Sequence, residues 1–219
     1  MMEHQDKKTW IWLAIGIGSV WGFLEAAAGI LLHDTPNWIF LGSIMTGVVA
    51  FLLAFGFGAN RQFRYLWISF AVLVLFKTLD ATLVGLPKIH IKIGNPVFAI
   101  TLEMLAMLAS VKLIRGKLSE KFSGKMLTGG LYAVLAVGLF PLVQIFTGMP
   151  ACIMPGTNIP LSLYCSPIAI GLSSLLFPLG VSLGSRYESL APRFVPVRLR
   201  WTLQGVSVLM LFCAVLIRI

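Results

Sequence analysis

The sequence is short of charge. Only 11% of its 219 residues are Asp, Glu, Lys or Arg, where a soluble domain carries roughly a quarter. That is too little to cover a water-facing surface, so a soluble enzyme and a disordered chain are excluded. Cysteine is scarce as well: three residues in a chain of this length do not make a secreted disulfide scaffold. Also missing are a phosphate-cradling glycine loop, a dinucleotide-binding turn, and the His and Cys spacings that hold a metal. No cofactor and no enzymatic activity are expected.

What fills the chain is apolar: 58% of it is hydrophobic and the mean hydropathy is +0.92. A membrane helix needs roughly 20 predominantly apolar residues, and seven runs qualify: Thr9–Leu32, Asn37–Gly58, Tyr65–Leu86, Pro96–Ile114, Met126–Gly148, Pro167–Gly184 and Trp201–Ile217. They are continuous rather than alternating, which excludes a β-barrel. The expected fold class is all-α, one polytopic bundle over residues 1–219. The first run is too long for a removed signal peptide and passes Ala26-Ala27-Ala28 without a polar cleavage region.

The net charge of +9 does not point to nucleic acid, because the basic residues sit in short loops between apolar runs. Thirteen lie on one side: Lys7, Lys8, Arg61, Arg64, Lys112, Arg115, Lys117, Lys121, Lys125, Arg186, Arg193, Arg198 and Arg200. The other side holds Lys88, Lys92 and Arg218. Basic loops stay in the cytoplasm. This implies a multi-pass protein of the cytoplasmic membrane with its N-terminus inside and its C-terminus outside. The basic loop Arg115–Lys125 suits anionic lipid. Cys152 and Cys165 fall in the longest outer loop, where an oxidising compartment permits a disulfide between them. His33, Asp34 and His90 lie at the same face without metal-ligand spacing.

Windows of the first, third and fifth runs align so that Glu25, Asp80 and Gln144 coincide. Setting Pro36, Pro96 and Pro167 equivalent superposes Ser43, Glu103 and Ser174. This reads as three repeated helix pairs plus one helix, against the alternative of chance similarity among apolar helices. Repeats are common in transport proteins, with sites where the repeats meet.

Glu25, Lys77, Asp80 and Glu103 fall inside the spans. Each costs about 2–3 kcal/mol or more at mid-membrane unless paired or hydrated. The three acids share a depth in the outer half and, with Gln144, form a candidate solute-binding set. Lys77 and Asp80 are three apart on one helix and can pair. Three acids against one lysine leave negative charge that suits a cationic or hydrogen-bonding solute. The alternative is a purely structural ion pair. In the first span Ala14, Gly18, Gly22 and Ala26 recur every four residues, a flat face for close helix approach, either within the chain or toward another subunit. Gly94-Asn95-Pro96 places a proline where a helix starts, and Pro141 and Pro178 are candidate kinks.

The ridge Ala14/Gly18/Gly22/Ala26, together with Lys77-Thr78-Leu79-Asp80 and the run from Asn95-Pro96-Val97 to Leu102-Glu103, resembles the substrate-binding S components of energy-coupling factor (ECF) transporters. The resemblance covers the first half of the chain. It implies a membrane protein that binds a vitamin-like solute or a metal from outside and docks, through Ala14, Gly18 and Gly22, to a coupling subunit driven by ATPases. The chain departs from that pattern in its seventh span and in a ridge that is half glycine. Met1-Met2-Glu3-His4 lacks a metal-binding Met-His start, which weakens a nickel or cobalt version. The alternative role is a structural or anchoring subunit of a larger membrane complex.

The basic asymmetry predicts that a topology reporter fused after Ile219 is active on the outer side of the membrane. Activity in the cytoplasm contradicts the seven-span reading.

Overall fold

The structure, a computed structural model, describes residues 3–31, 38–83, 91–114, 120–148, 151–194, 205 and 209. It is all-helical, and among the described residues the nearest thing to a strand is an isolated antiparallel bridge between Ile153 and Pro160. The long helices are α1 (Glu3–Leu31), α2 (Trp38–Asn60), α3 (Arg64–Leu83), α4 (Ile91–Leu113) and α5 (Phe122–Gly138). A 3₁₀ turn at Phe140–Leu142 leads into the short α6 (Val143–Thr147), then α7 (Leu161–Tyr164) and the long α8 (Ser166–Phe194). Five helices are long and apolar enough to cross a membrane: α1, α2, α4, α5 continued through α6, and α8. Of the expected seventh span, Trp201–Ile217, all but Gly205 and Leu209 lie outside the described residues, as do His33, Asp34 and His90.

Two boundaries differ from the expectation. Pro96 lies inside α4, which begins five residues earlier at Ile91. It therefore removes an intrahelical N–H instead of sitting at the first helical position, where none is needed. The fifth apolar run is broken. α5 ends at Gly138, Pro141 falls in the 3₁₀ turn, and the helix restarts at Val143. This is the local consequence of a ring that cannot donate and clashes with the preceding turn.

The helix directions follow from which residues meet. Gly18 abuts Ser69 and Val72, and Gly22 abuts Phe76, so α1 and α3 run parallel, with α2 returning between them. Gly47 meets Leu172, and Gly180 and Gly184 meet the backbone of Phe51 and Phe55, so α2 and α8 are parallel too. Two bodies emerge. α1 and α3 pack chiefly on each other, while α2, α8, α5 and α4 pack in series, and one apolar core runs through both groups.

Small residues let the backbones approach, and hydroxyls tie them together. Water is absent from a bilayer core, so a buried hydroxyl must find its acceptor in the protein. Ser69 donates to the Ala14 carbonyl (2.8 Å), Tyr65 to the Leu53 carbonyl, and Ser43 to the Cys165 carbonyl (2.9 Å). The core around them holds Ile17, Trp21, Leu53, Leu73, Met107 and Phe177, while large apolar residues such as Trp67, Leu105 and Leu175 lie on the outer surface, as lipid contact requires. The Gly180-Val181-Ser182-Leu183-Gly184 stripe is the tightest packing device in α8 and was not singled out in the sequence, although its spacing matches that of the α1 ridge.

A Cβ at Gly180 or Gly184 strikes the α2 main chain, whereas one at Gly171 meets nothing. Gly184→Leu is expected to lower stability by about 3 kcal/mol or more, since overpacking at a backbone contact has no flexible side chain to absorb it. Gly171→Ala stays near neutral. Equal thermal unfolding of the two variants in nanodiscs contradicts this packing.

Candidate functional site

The polar side chains of the interior gather where the two bodies face each other. From the first body come Glu25 on α1 and Lys77 on α3, with Lys77 Nζ 3.8 Å from Glu25 Oε2 and side-chain exposures of 8% and 20%. From the second come Glu103 on α4, 6% exposed, and Thr46 on α2, whose hydroxyl donates to the Gly42 carbonyl (3.0 Å) and lies within hydrogen-bond reach of the Glu103 carboxyl. Glu25 is near enough for its charge to act on Glu103, and both carboxyls act on the hydroxyl of Tyr132 from α5. Tyr132 is fully buried, and its hydroxyl has no hydrogen-bond partner among the described residues. Nor has Nε1 of Trp21, buried on α1 one turn before Glu25.

The parallel pairing of α1 and α3 explains the ion pair. A register that sets Gly22 against Phe76 brings Glu25 level with Lys77. A separation of 3.8 Å is longer than the roughly 2.7–2.9 Å of a charge-assisted hydrogen bond. The two groups therefore neutralise each other without closing into a tight contact.

Of the sequence-derived set, Glu25, Lys77 and Glu103 come together. Lys77 meets Glu25 across the two helices, while its expected pairing with Asp80 on the same helix involves a side chain outside the described residues. Asp80 is on α3, but its side chain lies outside the described residues. Gln144 does not join them. It lies exposed on α6, beyond the break at Pro141, next to Phe146, which stacks on Phe98 with ring centroids 5.5 Å apart. The rotation introduced by the 3₁₀ turn takes Gln144 off the interior face, so the third limb of the proposed repeat fails at this residue.

The ridge on α1 is also reassigned. Ala14, Gly18 and Gly22 are buried, and a Cβ on Gly18 would sit 2.6 Å from the Ser69 carbonyl. The face that the sequence offered to another subunit is filled by α3 of this chain. Cys152 and Cys165 are free thiols, not a disulfide. Cys152 is exposed, while Cys165 is buried at the head of α8 with Sγ 3.6 Å from the Ile39 carbonyl. The loop between them folds as a turn over Pro155-Gly156, with Thr157 N–H donating to the Met154 carbonyl (3.1 Å) and Gly156 at φ +77°. Proline then glycine at these two positions suits a type II turn.

Thr46, Tyr132 and Trp21 were not singled out from sequence. Their signal was faint: a hydroxyl or indole inside an apolar run is ordinary until its neighbours are known. No group of three or more His, Cys, Asp or Glu able to hold a metal ion occurs among the described residues. No protein-family model matches the chain, and neither does any curated protein or solved structure.

Removing one partner of a buried ion pair strands the other, at about 3–5 kcal/mol, whereas removing both is far milder. Lys77→Met is therefore expected to destabilise strongly, and adding Glu25→Gln to recover a substantial part of that loss. Simple additivity of the two losses in thermal unfolding contradicts the pairing.

Proposed function

We propose that the chain is a solute-binding transport protein of the cytoplasmic membrane, with its N-terminus inside, and not an enzyme. In this reading a small solute enters from outside and is held among Glu25, Lys77, Glu103 and Tyr132. The observation that carries it is the placement of the cluster: Glu25 and Lys77 come from one helix body and Glu103 from the other, so buried ionisable groups gather where the two bodies meet. Sites in many transporters occupy such a boundary, because relative movement of the two bodies then alternates access without dismantling either. The buried Tyr132 hydroxyl and Trp21 N–H add hydrogen-bonding capacity that has no partner among the described residues. Carboxyls can serve acid–base chemistry, but among the described residues no nucleophile with an adjacent base stands beside these.

The resemblance to S components supports outside-facing solute capture. Docking through Ala14, Gly18 and Gly22 is not part of the proposal, since α3 fills that face. A coupling subunit driven by ATPases remains the partner class that the resemblance implies, and it would have to engage another surface. A structural or anchoring role has one observation in its favour, the mutual neutralisation of Glu25 and Lys77. It does not account for Glu103, a second buried carboxyl beside the first.

The two roles separate in one comparison. Purified wild type and Glu103→Gln are exposed to cell extract, washed, and analysed for retained small molecules by mass spectrometry, with thermal unfolding measured in parallel. Solute binding predicts a species enriched at least about tenfold on wild type, the scale of one charge-assisted contact, with little change in stability. Equal retention by the two proteins establishes the anchoring role instead.

A further inference from the structure

The chemistry of the cluster narrows the solute, given the binding role above. Deep inside the spans the sequence sets three acids, Glu25, Asp80 and Glu103, against one base, Lys77, since Lys112 lies at the end of its run. Glu25 and Lys77 neutralise each other. Glu103 is more deeply buried than Glu25 and comes from the opposite body, where its described polar neighbours are uncharged: the Thr46 and Tyr132 hydroxyls. A carboxyl in this position favours a ligand that brings positive charge and N–H donors, because a charge-assisted hydrogen bond in a low-dielectric interior is much stronger than a neutral one.

Two further features define the rest of the ligand. The Tyr132 hydroxyl faces both carboxyls yet has no hydrogen-bond partner among the described residues, so it can donate to an acceptor atom on the ligand. Its ring, and that of Trp21 one turn from Glu25, can face a cation. A divalent metal ion fits poorly. It demands several oxygen ligands and a strongly negative site, whereas this one includes the Lys77 ammonium.

We infer that the site binds a small monovalent organic ammonium ion bearing a hydrogen-bond acceptor, its N–H groups on the Glu103 carboxyl and its acceptor on the Tyr132 hydroxyl. Anionic solutes are rejected by the two carboxyls, and neutral ones gain no charge-assisted contact. Lys77 neutralises Glu25, so Glu103 is left to balance a single positive charge on the ligand.

The test uses the full chain in nanodiscs and four probes: ethanolammonium, neutral 1,2-ethanediol, anionic glycolate and Mg²⁺. Ethanolammonium is expected to raise the unfolding temperature saturably, and the other three are not. Its dissociation constant should weaken by about tenfold or more in Glu103→Gln and by about fivefold in Tyr132→Phe, the scale of one lost hydrogen bond. The contrast among probes is read on wild type, so it survives a variant that fails to fold. Stabilisation by glycolate, 1,2-ethanediol or Mg²⁺ equal to that by ethanolammonium overturns the inference. So does the absence of stabilisation by ethanolammonium. If the solute retained from cell extract is nevertheless lost in Glu103→Gln, the binding role stands and the ligand class alone is wrong. If retention is also unchanged, both fall.

Discussion

An ammonium group buried among apolar helices needs a carboxylate, and the register of the first helix body is arranged around that need. Lys77 is the one basic residue deep within the apolar runs, and a described partner, Glu25, is on the neighbouring helix. For the two to meet, α1 and α3 must run parallel at close range. The glycines at 18 and 22 permit this, because any side chain there would strike Ser69 or Phe76. The Ser69 hydroxyl on the Ala14 carbonyl fixes the same register from below. Small residues, a hydroxyl and an ion pair thus specify one alignment, and each is expensive to leave unmatched in a medium without water.

The second body is held differently. Glycines on both partners bring α2 and α8 together, and α5 joins them where Gly129 meets the Ser173 carbonyl. This body presents Glu103, Thr46 and Tyr132 toward the first. A bundle optimised only for stability would place a hydroxyl without a partner among the described residues, and a second carboxyl, elsewhere, since apolar replacements of similar volume are often neutral or stabilising.

The sequence disclosed what depends on composition and spacing. Long apolar runs marked the helices, and charge inside them marked Glu25, Lys77 and Glu103. It disclosed less where the answer depends on rotation about a helix axis. Gln144 aligned with Glu25 in the chain, but the break at Pro141 turns it to the surface. The ridge of α1 was visible as a close-packing face, while its occupant was not, because a four-residue stripe of small side chains is the same whether the partner is in the chain or outside it. The contact of Lys77 with Glu25 depends on interhelical register, which no single helix reveals. Tyr132 and Trp21 were illegible for a simpler reason: a buried aromatic is ordinary until its polar atom proves to lack a partner among the described residues.

The central claim is that this cluster is a ligand site reached from outside, not sealed structural charge. Thr46 touches Glu103 and lies two turns into α2, which makes it a position for direct measurement. In a chain with Cys152, Cys165 and Cys213 replaced by serine, Thr46→Cys is exposed to membrane-impermeant thiol reagents added outside. The account predicts modification, faster with a cationic reagent than with an anionic one of equal size, because the carboxyls attract the first and repel the second. No modification from outside, or equal rates for the two reagents, contradicts it.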